Sequence, residues 1–130
     1  MIVLDASVIV EMILGTPVGR TLERQLYLPE QSWHAPEIVD LETAQVLRRA
    51  SLRGEIAAER HLQAIIDLAN LPLIRHPHTE HLQLIWQLRH NLTAYDAAYV
   101  ALAELLDAPL LTRDAGIAGS AGHRARIELV

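Results

Sequence analysis

Short apolar runs separated by long stretches of helical periodicity constrain this chain more than any other feature. Ile2 to Leu4, Leu110 to Thr112 and Ile127 to Val130 are too short for helices and too apolar for loops. They read as buried strands. Leu73-Ile74 is a shorter strand candidate, and Trp33-His34-Ala35 reads as a connector with some strand character. Helical patterns fill the spaces: Ser7 to Leu14, Pro17 to about Leu26, a long helix opened by Pro36 at its first position and stopped by Gly54, Glu55 to about Leu71, Thr79 to Arg89, and Tyr95 to Leu106. A brief helix follows Asp114. Strands alternating with helices imply an α/β fold, a sandwich built on a small parallel sheet flanked by helices. Its 130 residues suit a single domain spanning 1–130.

Composition narrows the chemistry. Hydrophobic residues make up 51% of the chain, enough for a packed core and too many for a disordered segment. With no cysteine, disulfides and thiolate metal sites are excluded, which fits a reducing cytoplasm. Asp5 and Glu11 interrupt the first apolar stretch and no basic region precedes it, so a signal peptide is not expected. No run approaches the ~18 apolar residues of a membrane span. The net charge of −5 argues against a broad electrostatic grip on nucleic acid. It leaves room for a nucleic-acid enzyme whose bound cations offset local acids. All 11 basic residues are arginines, a bias we read as compositional.

Four acids stand out. Asp5 ends the first strand and Asp114 follows the run Leu110 to Arg113, so both belong on the rim of a parallel sheet, where sites form. Each has a modest alternative as the N-cap of the helix that follows. Asp96 fits a capping arrangement with Thr93 as N-cap and an acid at N3. Glu42 falls on a wheel between Ile38 and Val46, on an arc shared with Val39 and Ala50, the side expected to face the sheet. There a carboxylate needs a cation or strong donors, an arginine partner being one alternative. Asp40 and Glu37 project elsewhere and are expected in water. Four separate explanations are less economical than one shared role. Clustered carboxylates suit Mg²⁺ or Mn²⁺, and metal-assisted phosphodiester hydrolysis is the chemistry to expect.

Ser7 and Thr112 sit two residues from Asp5 and Asp114, close enough for their hydroxyls to reach the acids; with Arg113 they are candidate substrate contacts. Turn hydrogen bonds and a solvated arginine are the plain alternatives. The seven histidines show no convincing ligand spacing, and His76-Pro77-His78 with His81 reads as a polar loop. Arg48, Arg49 and Arg53 lie near a helix C-terminus, where cations are favoured; a solvated role is preferred over RNA or partner binding. The apolar helical face through Ile65, Ile66, Leu68, Ala69 and Leu71 is read as core, with a dimer seam as the second reading.

The blocks Val3-Leu4-Asp5-Ala6-Ser7-Val8-Ile9, Pro36 through Glu42 to Arg49, Leu92 to Ala103 around Thr93-Ala94-Tyr95-Asp96, and Pro109-Leu110-Leu111-Thr112-Arg113-Asp114 resemble, in order, the PIN-domain ribonucleases, and among them the VapC toxins of bacterial toxin–antitoxin pairs. The resemblance implies a PIN-like three-layer sandwich and a Mg²⁺- or Mn²⁺-dependent endoribonuclease with Asp5, Glu42, Asp96 and Asp114 as metal ligands and catalytic residues. It implies an RNA substrate such as transfer or ribosomal RNA, a homodimer, and a cognate antitoxin that covers the site. Some members carry a further acid after the last one; here Ala115, Gly116, Ile117 and Ala118 stand there. A non-toxin PIN nuclease and a catalytically silent binding module are the alternatives. A haloacid-dehalogenase phosphatase is set aside because Ser7 occupies the position of its second aspartate.

Overall fold

The computed structural model describes all 130 residues. Its elements run β1 (Ile2–Leu4), α1 (Ala6–Leu14), α2 (Pro17–Leu26), β2 (Trp33–Pro36), α3 (Ile38–Leu52), α4 (Ala58–Asn70), β3 (Leu73–His76), a 3₁₀ turn (Thr79–His81), α5 (Leu82–Gln87), α6 (Ala94–Leu106), β4 (Leu110–Thr112), α7 (Ala115–Ala118) and β5 (Ile127–Leu129). The strands form one sheet in the order β3-β2-β1-β4-β5. Every pairing is parallel.

This order determines where the helices lie. The chain steps outward from β1 to β2 to β3, then crosses back to β4 on the other side of β1. Parallel crossovers are right-handed, so α1 to α4 cover one face and α5 to α7 the other. The result is the expected three-layer α/β sandwich. The crevice between the carboxyl ends of β1 and β4 is its topological switch point, where open α/β sheets bind ligands.

The core explains the elements. Val3, Leu4 and Leu110 are fully buried, as strands covered on both faces must be. In α6, every residue from Ala97 to Ala103 is buried. Its alanines allow close approach to β1, β2 and β4, all of which it contacts. Between α1 and α2 the chain turns through Gly15 at φ 62, and Thr16 then caps α2 by accepting the Gly19 N–H at 3.0 Å. No helix is long and apolar enough to cross a membrane.

Three expectations need correction. Pro36 does not open a helix: it closes β2, paired with His76, and α3 starts at Ile38. β1 pairs only with Trp33 and His34, so a proline lies beyond that ladder and its missing N–H costs no bond there. The helix placed from Glu55 begins at Ala58, and the one placed over Thr79 to Arg89 divides into the 3₁₀ turn and α5. Finally, α3 turns Val39, Thr43, Leu47 and Ala50 inward, not the arc through Ile38, Glu42 and Val46. Val46 is 40% exposed, so Glu42 flanks the buried stripe instead of lying within it.

Candidate functional site

The capping readings of Asp5, Asp96 and Asp114 hold, and they position the site. Asp5 caps α1 with its Ser7 N–H contact at 3.4 Å. The same oxygen, Oδ2, accepts the hydroxyls of Ser7 and of Thr112, the latter at 2.8 Å. Thr112 Oγ1 in turn accepts the Asp114 N–H at 2.9 Å, and Ser7 Oγ accepts the Arg113 N–H at 3.0 Å. These bonds tie the end of β1 to the end of β4. Asp114 caps α7, its Oδ1 accepting from Gly116 and Ile117 at 2.6 and 3.3 Å. Asp96 occupies N3 of α6, with Thr93 accepting its N–H at 3.1 Å. Glu42 Oε2 accepts the Tyr99 hydroxyl at 2.5 Å.

Each of these bonds engages only one carboxylate oxygen. Asp5 Oδ1, Asp114 Oδ2 and Glu42 Oε1 receive no hydrogen bond from the protein. Asp5, Asp114 and Glu42 are therefore anchored through one oxygen and open at the other, while Asp96 is held through its backbone N–H.

Their charges also interact. Burial pushes the Glu42 carboxyl above its ordinary range, opposed by the Tyr99 hydroxyl and reinforced by Asp5 and Asp96. Burial likewise raises Asp96, opposed by Thr93 and reinforced by Asp114 and Asp5. Glu42 and Asp96 thus each feel two of the other acids. Tyr99 is itself raised, first by burial and then by Glu42, so it remains a hydrogen-bond donor. No group of three or more His, Cys, Asp or Glu side chains forms a ready-made metal cage. The donor set is nonetheless all oxygen, and magnesium normally takes one or two carboxylates with water completing its shell. The residues fit such an ion bound partly through water.

Asp5 and Glu42 open onto a cleft of about 590 Å³ that is also lined by Ile38, Gln45, Arg49 and Tyr95. A smaller cavity, about 310 Å³, lies at the amino end of β4 among Glu104, Asp107, Arg124 and Arg126. Its polar groups already serve one another: Glu104 accepts the Arg124 N–H at 2.6 Å, and Arg126 reaches the Asp107 carbonyl at 3.1 Å. The first cleft is the better candidate.

Other polar residues resolve differently. The Ser7 and Thr112 hydroxyls are committed to Asp5, so they position it. The Arg113 guanidinium pairs with Glu11 at 3.2 Å and donates to the Val130 carbonyl at 3.2 Å. Asp40, expected in water, instead pairs with Arg75 at 2.8 Å. Glu42 takes no arginine; its donor is Tyr99, which the sequence presents only as another apolar position of α6. Arg49 was read as a solvated helix-end charge, and its place in the cleft was missed. His34 Nδ1 and His76 Nε2 lie 2.8 Å apart, joined by the β2–β3 register, and burial and like charge lower both pKa values.

Comparison with known proteins shows the family and the fold. The family profile described as PIN domain matches residues 2–121. Ribonuclease VapC12 of Mycobacterium tuberculosis is 43% identical over 130 residues, covering 100% of this chain and 99% of that protein. Ribonuclease VapC1 of the same species is 43% identical over 129 residues, covering 98% and 96%. Among solved structures, VapBC2 from Rickettsia felis bound to a promoter DNA fragment superposes with a TM-score of 0.70 at 14% identity, covering 99% of this chain and 98% of that one. Mycobacterium tuberculosis VapC20, described as a toxin that cleaves the sarcin-ricin loop, gives 0.67 at 16% identity, covering 93% and 97%. At such identities these two structures speak to the fold.

Proposed function

The chain belongs to the PIN domain family, alongside the VapC ribonucleases it matches over nearly its whole length, and from this premise we propose a divalent-metal-dependent endoribonuclease acting as the toxin of a toxin–antitoxin pair. We place it in the cytoplasm as a single-domain homodimer, held silent by a cognate antitoxin. Asp5, Asp96 and Asp114 would hold Mg²⁺ or Mn²⁺, directly or through water, and Glu42 would hold a second ion or orient the attacking water. The observation that carries this chemistry is that the carboxylates of Asp5, Glu42 and Asp114 are each fixed through one oxygen and left open at the other. When bound, the cation supplies an acidified water and offsets charge on the phosphate.

The chain's own residues then have distinct tasks. Ser7 and Thr112 hold Asp5 in one rotamer with two hydroxyl donors. Tyr99 fixes Glu42, and the raised pKa of Glu42 suits it to take a proton from an attacking water. RNA cleavage should require Mg²⁺ or Mn²⁺, stop in EDTA and resume when the metal is restored. Full activity in EDTA would overturn the mechanism.

The raised carboxyls also make stability respond to pH. With folded values above the ordinary 4.5 of Glu42 and 3.8 of Asp96, folding favours their neutral forms. The stability they confer is fully present below those ordinary values. It is lost as pH rises through the raised ones. At neutral pH the metal-free protein therefore contains mutually repelling carboxylates that a cation relieves. Mn²⁺ should raise the melting temperature more at pH 7 than at pH 5. Equal shifts at both would sever the link between these acids and the ion.

A further inference from the structure

Arg49 is the one cation lining the acidic cleft, and no carboxylate pairs with it. Its place in the last turn of α3 favours a cation there, but leaves the guanidinium without an ion-pair partner in a chain of net charge −5. It lies seven residues beyond Glu42 on α3, about 10 Å along the helix. That offset along the helix suits a neighbouring phosphate of the same strand. Arginine matches phosphate oxygens in a bidentate fork.

Tyr95 lines the same cleft from α6 and is 61% exposed. Tyr95 and Ile38 also border a second recess of about 230 Å³, shared with Leu82, Ile85 and Ala98. The acidic cleft and the apolar recess therefore adjoin, with these two residues in the wall of both. An exposed aromatic ring over an apolar recess, next to a phosphate-hydrolysing site, is the arrangement on which single-stranded nucleic acids stack a base.

We propose that Arg49 and Tyr95 are substrate-positioning residues that select an unpaired RNA segment: Arg49 grips a phosphate adjoining the scissile one, and Tyr95 stacks a splayed base against the recess. The occupant is a nucleobase because the recess adjoins the acids at Tyr95, so a strand held at the acids brings its own base to it. This rests on the nuclease reading of the acids, and the test separates the two.

A fluorescent single-stranded oligoribonucleotide would be assayed for cleavage with Mg²⁺, and for binding by anisotropy with Ca²⁺ in place of Mg²⁺. Tyr95→Ala should raise KM and Kd about tenfold with kcat largely kept, and Tyr95→Phe should restore both. Arg49→Gln should reduce the slope of log Kd against log salt by about 0.7, the share of one phosphate contact on a single strand. A structural role would not move that slope. Both side chains are exposed, so the variants should melt with the wild type. Unchanged Kd, KM and salt slope in both variants, with Asp96→Asn inactive on the same probe, would overturn the clamp and leave the nuclease intact. So would a Tyr95→Ala variant that binds RNA normally and loses only a protein partner. Binding that depends on Arg49 and Tyr95 without any cleavage by the wild type would uphold the clamp and sink the nuclease reading.

Discussion

Asp5→Asn should lower RNA cleavage by at least about a hundredfold while the protein melts within a degree or two of the wild type. The first half follows from the proposed role of the carboxylate; changes to residues merely supporting a metal ligand already cost about 10- to 100-fold. The second half follows from the hydrogen bonds. Oδ2 accepts from Ser7 and Thr112, and an asparagine oxygen can occupy that position and still cap α1. What asparagine removes is the charge and the open acceptor at Oδ1. Asp5→Ala separates the effects in the other direction. It deletes the cap and leaves the buried Thr112 hydroxyl without its acceptor, a loss of about 1–3 kcal/mol. Activity retained by Asp5→Asn in purified protein would remove Asp5 from the chemistry.

Gly19→Ala should be the most damaging conservative change away from the acids. The helices α1 and α2 meet so closely that a Cβ at position 19 would lie 1.9 Å from the Glu11 carbonyl oxygen and 2.3 Å from its carbon. Both atoms belong to the backbone of a helix, so no side-chain rotation relieves the clash. Alanine would gain about 1 kcal/mol of helix propensity over glycine. Overpacking typically costs about 1–3 kcal/mol, and a contact this short against helix backbone belongs at the upper end, so the clash prevails. The expected outcome is a net loss of about 2 kcal/mol, read as a melting temperature lower by roughly 5–10 °C. A variant as stable as the wild type would mean that α2 sits farther from α1 than described.

The parts of the fold legible in the sequence are those decided by local pattern. Strands β1 and β4 are short apolar runs covered on both faces, and α6 begins at a Thr93 cap that can be read directly. Strand β2 was obscured because Trp33-His34-Ala35-Pro36 carries a histidine and a proline. Its place follows from pairing with β1 and β3, which no local window contains. The same limit separates the acids from their partners. Asp5, Asp96 and Asp114 were found as strand-end and helix-start residues, whereas the Tyr99 donor to Glu42 is 57 residues away. Glu42 was singled out on an arc one step away from the true buried stripe, because a wheel without a neighbouring helix does not fix which face turns inward. Asp40 was misplaced for want of Arg75, 35 residues on.

The dual use of the aspartates bears on how such a protein can age. Asparagine is as good a helix cap as aspartate. On the proposed reading, a single substitution at position 5 or 114 would therefore disarm the enzyme without disturbing its shape. A copy so altered would still present the wild-type outer surface to an antitoxin and compete for it with active siblings. Decay of a toxin built this way leads first to a well-folded decoy, and only later to loss of the protein.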